Sequence, residues 1–173
     1  MTIDTQKTDA RMRGAYTTPE ILAQFLVNWA IRNPSDLAID CCCGDGVFLE
    51  AIANRLLFLG SDETAVSQIT GVEIDPFTAE QAYTRLLNRF HVAPKIIPKG
   101  FFATLPLLLK ESYDAVVGNP PFVRYRHFFK DERDLAFKFL REYGFRASKM
   151  TNAWVPFLVA GIHLLKPKGR LAM

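Results

Sequence analysis

The sequence predicts an α/β fold built on a doubly wound, mostly parallel sheet. Three observations predict it. Short apolar runs alternate with longer stretches of helical spacing; the glycine-bearing turn Gly44-Asp45-Gly46 stands where the first run gives way to a helix; and later runs end on polar groups, Glu73 and Asn119. With 173 residues, 49% of them hydrophobic, the chain can form one domain with a sizeable core.

The elements follow in order. Residues 1–13 are polar and charged and read as a flexible lead, which leaves 14–173 as the folded domain. Thr18-Pro19-Glu20 opens a helix, with Thr18 as N-cap, Pro19 at the first helical position and Glu20 at the positive end of the dipole. Ile21, Leu22, Phe25, Leu26 and Trp29 recur at helical spacing and predict its core-facing stripe, and Asn33-Pro34-Ser35 ends it. Leu37 to Ile39 is a short strand running into Asp40 and the glycine turn. Helices are expected over 47–59, 76–90 and 153–165, and strands over 69–74, 95–98 and 113–117. Residues 124–149 are charged and helical or irregular. After Lys166-Pro167-Lys168-Gly169 the chain enters Arg170 to Met173 and stops inside an expected fifth strand. The sheet is therefore expected to be truncated in or after that strand, as in an N-terminal portion of a longer protein.

Composition excludes several classes. No run approaches the roughly 20 apolar residues of a membrane span, and the polar N-terminus is unlike a secretory signal. All three cysteines are adjacent, Cys41-Cys42-Cys43, a spacing that suits neither a disulfide framework nor a metal site. A cytoplasmic protein without a metal is expected. The net charge of +3 is compatible with nucleic acid and too small to argue for it.

Two groups of residues carry chemistry. In open α/β sheets ligands bind beyond the carboxyl ends of strands, and glycines there admit the ligand to the backbone. The turn after Asp40 lacks the third glycine of a dinucleotide fingerprint and the Gly-Lys-Ser/Thr of a phosphate loop. It is a glycine-lined turn without a phosphate cradle. Glu73, at the end of the second strand, can accept both hydroxyls of a ribose. Asp75 reads as a helix N-cap. A ligand with a sulfonium and an α-amino group gives Asp40 a cation to pair with. The helix after Thr18 offers free N–H groups and a hydroxyl to the matching carboxylate, with Tyr16 and Thr17 just before it.

The second group is Asn119-Pro120-Pro121-Phe122, after the fourth strand and on the same rim. Two prolines stiffen the backbone and hold the Asn side chain and the Pro120 carbonyl in one geometry. Both can accept a hydrogen from one NH₂. An aromatic amine is a poor nucleophile because its lone pair is delocalised; two acceptors placed for a tetrahedral nitrogen localise it. Phe122 offers a face for a flat ring.

These segments, in this order, resemble the gamma-type N6-adenine DNA methyltransferases. Gly14 to Pro19 is similar to that family's leading segment, Asp40 to Leu49 to its cofactor motif, Gly71-Val72-Glu73-Ile74-Asp75-Pro76 to its second motif, and Gly118 to Phe122 to its catalytic one; Leu164 to Ala172 is similar to its turn into the fifth strand. The resemblance implies a Rossmann-like, S-adenosylmethionine-dependent domain that methylates the N6 amine of an adenine flipped out of double-stranded DNA. It further implies a restriction-modification setting, with a restriction endonuclease or a specificity subunit or domain as partner. It places Asp40, Cys42, Gly44, Glu73 and Ile74 against the cofactor, Tyr16, Thr17 and Thr18 at its carboxylate, and Asn119 and Pro121 near its reactive end. Phe101 would flank its adenine, and Asn119, Pro120 and Phe122 would act on the target base. One departure stands out: the family's acid before Phe101 is Gly100 here. The motif that grips the target base and the target-recognition domain are not found in the sequence. The tetrapeptide also serves methyltransferases acting on protein glutamine or RNA adenine. Those readings, and a non-catalytic cofactor-binding subunit, stay open at this point. The basic and aromatic residues of 124–149 suit a DNA cleft, yet Asp131, Glu132, Asp134 and Glu142 equally suit a solvated helical face.

Overall fold

The computed structural model describes residues 18–124, 128–148 and 150–173. Strands β1 (Ala38–Asp40), β2 (Ile69–Val72), β3 (Lys95–Ile97), β4 (Tyr113–Val117) and β5 (Leu165–Ala172) form one sheet in the order β3-β2-β1-β4-β5. Every pairing is parallel. The strand order reverses direction at β1 and β4, where Asp40 lies opposite Val117. That is the topological switch point, where connections leave to opposite faces and open a crevice.

Helices α1 (Glu20–Ala30), α2 (Val47–Phe58), α3 (Pro76–Phe90), α4 (Phe101–Thr104), α5 (Lys130–Glu142) and α6 (Trp154–Leu164) cover the sheet. Two apolar cores result. One joins Ala23 and Val27 of α1 to Leu49, Ile52, Leu56 and Leu86 of α2 and α3. The other joins Ile39 and Val116 of the sheet to Phe101, Phe102, Phe137, Leu140 and Phe157 of α4 to α6. Alternation of the β1 side chains between these cores makes the sheet two-sided, as a doubly wound fold requires.

Three expectations need correction. The N-cap of α1 is Pro19, with no side-chain cap, and the first turn closes on the Pro19 carbonyl. The stripe of α1 is also reversed: Ile21 is 78% and Phe25 70% exposed, while Ala23, Val27 and Ala30 are buried. A narrow face of small side chains lets α1 approach its neighbours closely, and the larger apolar side chains point outward. Leu26 alone of the expected stripe packs against the core. Finally, α6 ends at Leu164 and β5 begins at Leu165, so the segment 166–169 is an irregular part of the strand. Lys168 there has a φ of 70°. Asp75 caps α3 as expected, accepting from the N–H and the hydroxyl of Thr78, each at 2.9 Å.

Candidate active site

The crevice starts from β1. Asp40 is completely buried at its C-terminal end. Its Oδ1 accepts the Cys42 N–H at 3.0 Å, whereas Oδ2 is buried with no hydrogen-bond partner. Burial pushes its carboxyl up to about 7, against the pull of the Cys42 N–H, and the charge of Glu73 adds to the rise. A buried oxygen without a partner is costly and marks a place where a donor belongs. The turn that follows is built on backbone that glycine adopts readily: Gly46, the residue before α2, has a φ of 89°.

Glu73 follows β2 directly, one residue past the end of the strand. Its Oε2 accepts the Gly44 N–H at 3.0 Å and its Oε1 the Asp75 N–H at 2.9 Å. The carboxylate therefore ties the glycine turn to the β2 rim and keeps further lone pairs for a ligand. Burial raises its pKa. Glu73 also donates its own N–H to the Ile97 carbonyl at 3.1 Å, which joins the ends of β2 and β3. Ile74 is partly exposed beside it.

A residue not anticipated braces this turn. Arg85 of α3 pairs with Glu50 of α2, with Asp45 of the turn at 3.3 Å and with Glu20 of α1 at 3.1 Å. A helical Arg in an amphipathic stretch looks like any solvated cation in sequence; only the folding of α1, α2 and the turn around it gives it three acids.

The second group lies across the switch point. Gly118 has a φ of 145°, and a Cβ on it would lie 2.5 Å from Asp40 Oδ1. The next residue, Asn119, is half-buried and donates its Nδ2 to the Thr18 hydroxyl at 3.3 Å. So Thr18, Asp40 and Asn119, expected on separate segments, meet in one place. Pro120 is buried and Pro121 partly so. Phe122 is 59% exposed and lies 6.4 Å from Trp154, ring centre to ring centre. It is no core residue. The chain after it is anchored by an isolated antiparallel bridge between Arg124 and Asn152 and by the Ala153 N–H to the Val123 carbonyl at 3.0 Å.

Phe101 sits deeper than a free stacking face, parallel to Phe157 at 5.3 Å. Cys41 and Cys43 are buried, Cys42 is half-buried, and all three thiols are free, with pKa values driven up chiefly by burial. They are inert small side chains in this site. Tyr16 and Thr17 lie outside the described residues, as do Tyr125, Arg126, His127 and Lys149 and the 1–13 lead. In the charged stretch, Lys130 pairs with Asp134 at 3.0 Å and Lys138 with Glu142 at 3.9 Å, and Phe128 is buried. That part of α5 is a solvated helical face.

Comparison with known proteins bears on the family and the fold. The model of the Eco57I restriction-modification methylases matches residues 67–173, which take in Glu73 and the whole tetrapeptide. The chain belongs to that family. A curated relative, the type II methyltransferase M.VspI of Vibrio sp. (strain 343), is 28% identical over 109 residues, 62% of this chain. The match spans 25% of the relative, so the chain corresponds to about a quarter of its length. Among solved structures, a candidate class I S-adenosylmethionine-dependent methyltransferase of Listeria monocytogenes superposes with a TM-score of 0.63 at 19% identity, over 96% of this chain and 50% of that one. The modification subunit of a candidate type I restriction enzyme of Vibrio vulnificus YJ016 gives 0.64 at 18% identity, over 97% of this chain and 36% of that one. At these identities the superpositions establish the α/β methyltransferase-like fold. No helix of the described residues is long and apolar enough to cross a membrane.

Proposed function

We propose that the chain carries the methyl-transfer site of an enzyme that moves a methyl group from S-adenosylmethionine to the N6 amine of adenine in DNA. The observation that carries this reading is the meeting of the tetrapeptide with the buried acid: Gly118 admits Asp40 Oδ1, and the adjoining Asn119 is held by Thr18. Asp40 Oδ2, buried without a partner, fits an ammonium group, and Glu73 at the next strand end fits a ribose. These residues therefore suit an amino-acid nucleoside. S-adenosylmethionine supplies, when bound, a methyl group on a positively charged sulfur.

The chain's own residues do the rest. The bond from Asn119 Nδ2 to Thr18 fixes the amide's rotation and leaves Oδ1 as its accepting end. Oδ1 and the Pro120 carbonyl accept hydrogen bonds from the two N–H groups of the target amine and localise its lone pair for in-line attack. The amine's proton leaves to water, so no side-chain base is required. Extruding an adenine from the duplex costs roughly a few kcal/mol; stacking on exposed Phe122 offsets about 1–3 kcal/mol of it. The restriction-modification setting of the family favours DNA over RNA or protein as substrate, with a specificity element or an endonuclease as partner.

The test is transfer of labelled methyl by the full chain to pools of DNA, RNA and protein, followed by identification of the product. N6-methyladenine recovered from DNA is the expected result. Label confined to glutamine, to RNA or to cytosine would replace the substrate, and no transfer with intact cofactor binding would support a non-catalytic subunit.

A further inference from the structure

Each residue of the glycine turn is held by a group from the β2–α3 unit. Gly44 donates its N–H to Glu73 at 3.0 Å. Gly46 lies against α3: a Cβ on it would come within 3.1 Å of the Ala82 Cβ and 3.3 Å of the Leu86 side chain. Asp45, between them, accepts from Arg85 at 3.3 Å. Ala82, Arg85 and Leu86 share one face of α3, so the turn is seated on that face.

Arg85 reaches further than the turn. Its guanidinium spreads its three nitrogens over three acids: Nε donates to Glu50 of α2, Nη1 to Asp45, and Nη2 to Glu20 at 3.1 Å. Glu20 is the first residue of α1 and stands just after Thr18-Pro19; Thr18 is the residue that accepts the Asn119 amide. One side chain thus ties the turn after β1 to the segment that holds the tetrapeptide after β4. A planar guanidinium carries its donors in a fixed fork and so fixes its acceptors relative to one another, whereas an ammonium is a single nitrogen on a flexible stem. Without the cation, Glu20, Asp45 and Glu50 would be three converging like charges that repel.

We propose that Arg85 is a positioning residue that keeps the glycine turn and the Thr18–Asn119 pair in register across the crevice. This rests on the cofactor reading above. Each arm has its own effect. The pair with Asp45 fixes the turn and, through it, cofactor affinity. The pair with Glu20 fixes the start of α1 and, through Thr18, the orientation of Asn119. The pair with Glu50 joins α2 to α3 and serves stability alone.

Three readouts on the full chain test this: calorimetry with S-adenosylhomocysteine, thermal melting, and the side-chain amide resonances of Asn119, assigned by their loss in Asn119→Ala. Arg85→Lys keeps the charge and loses the fork. It should weaken binding roughly three- to fivefold and shift the Asn119 resonances in a protein that stays folded. Asp45→Asn should reproduce the loss of affinity. Glu20→Gln should reproduce the Asn119 shift with affinity within about twofold of native, and Glu50→Gln should lower only the melting temperature. A side chain that merely braces helices would give a lower melting temperature in Arg85→Lys with native affinity and native Asn119 resonances; that result overturns the proposal, as does either effect without the other. Should Arg85→Lys unfold, the three acid variants carry the test, and the same response in all three would overturn it. Native protein that binds no S-adenosylhomocysteine would remove the cofactor reading and this proposal with it, whereas native binding with an unaffected Arg85→Lys removes this proposal alone.

Discussion

Asp40 and Gly118 face each other across the switch point of the sheet, so closely that a methyl group on Gly118 would lie 2.5 Å from Asp40 Oδ1. Asp40 and the start of the tetrapeptide are thus one packed unit. Gly118→Ala places a side chain where the backbone, at a φ of 145°, disfavours one, and pushes the carboxylate aside. The expected result is a loss of about 2–4 kcal/mol in stability and cofactor affinity at least tenfold weaker. Thermal melting and calorimetry on the same sample check both.

Asp40 also sets a pH dependence. Its carboxyl is raised to about 7 in the folded chain by burial, whereas an unfolded chain titrates it near the ordinary value of about 4. Between those pH values the native state keeps a proton the unfolded state has lost. Stability of the ligand-free protein therefore falls as pH rises from about 4 to 7, and Asp40→Asn should flatten that slope. In the proposed function cofactor binding runs the other way, because the cofactor's ammonium would need the charged carboxylate. Affinity should strengthen with pH up to about 7 and then level, with a proton released on binding near pH 6. Titrations in buffers of different ionisation heat measure that proton directly.

Glu73 holds the Gly44 turn, and in the proposed function it also accepts the ribose of the cofactor. Glu73→Ala should cost about 1–3 kcal/mol of cofactor binding, the worth of a hydrogen bond to a charged group. Glu73→Gln keeps an acceptor for Gly44 and should cost less. Dissociation constants unchanged in both variants would take Glu73 out of the pocket.

Phe122 is exposed beside Trp154, and its replacement should not disturb the core. Phe122→Ala is expected to leave melting temperature and cofactor binding near native values. Methylation of duplex DNA should slow by roughly ten- to a hundredfold, corresponding to the about 1–3 kcal/mol of lost stacking. An oligonucleotide with the target adenine already unpaired should recover part of the rate.

That residues 40–46, 71–76 and 118–122 share one rim was legible in the sequence, because each follows or ends a short apolar run, and parallel strands bring their ends together. Two features were not. The outward face of α1 is the more apolar one, so periodicity selects Ile21 and Phe25 over the small residues that make the close contact. Hydropathy measures side-chain surface; packing between helices depends on how near the backbones can come. Glu132 was hidden for a different reason. It accepts the N–H groups of Phe102 and Ala103, 30 and 29 residues away, from within a run of charges, so nothing local in the sequence joins it to α4. The clustering of Arg85 with three acids from three elements is likewise a product of the tertiary fold.

The central claim is that Asn119 acts on the target amine beside a bound cofactor, and Asn119→Ala tests it most directly. Labelled-methyl transfer and calorimetry with S-adenosylhomocysteine are measured on one preparation of the full chain. Transfer reduced at least a thousandfold with the dissociation constant within about threefold of native is the predicted result, a loss of roughly 4 kcal/mol confined to the transition state. Transfer at the native rate, or transfer and binding lost together in a folded protein, would contradict it.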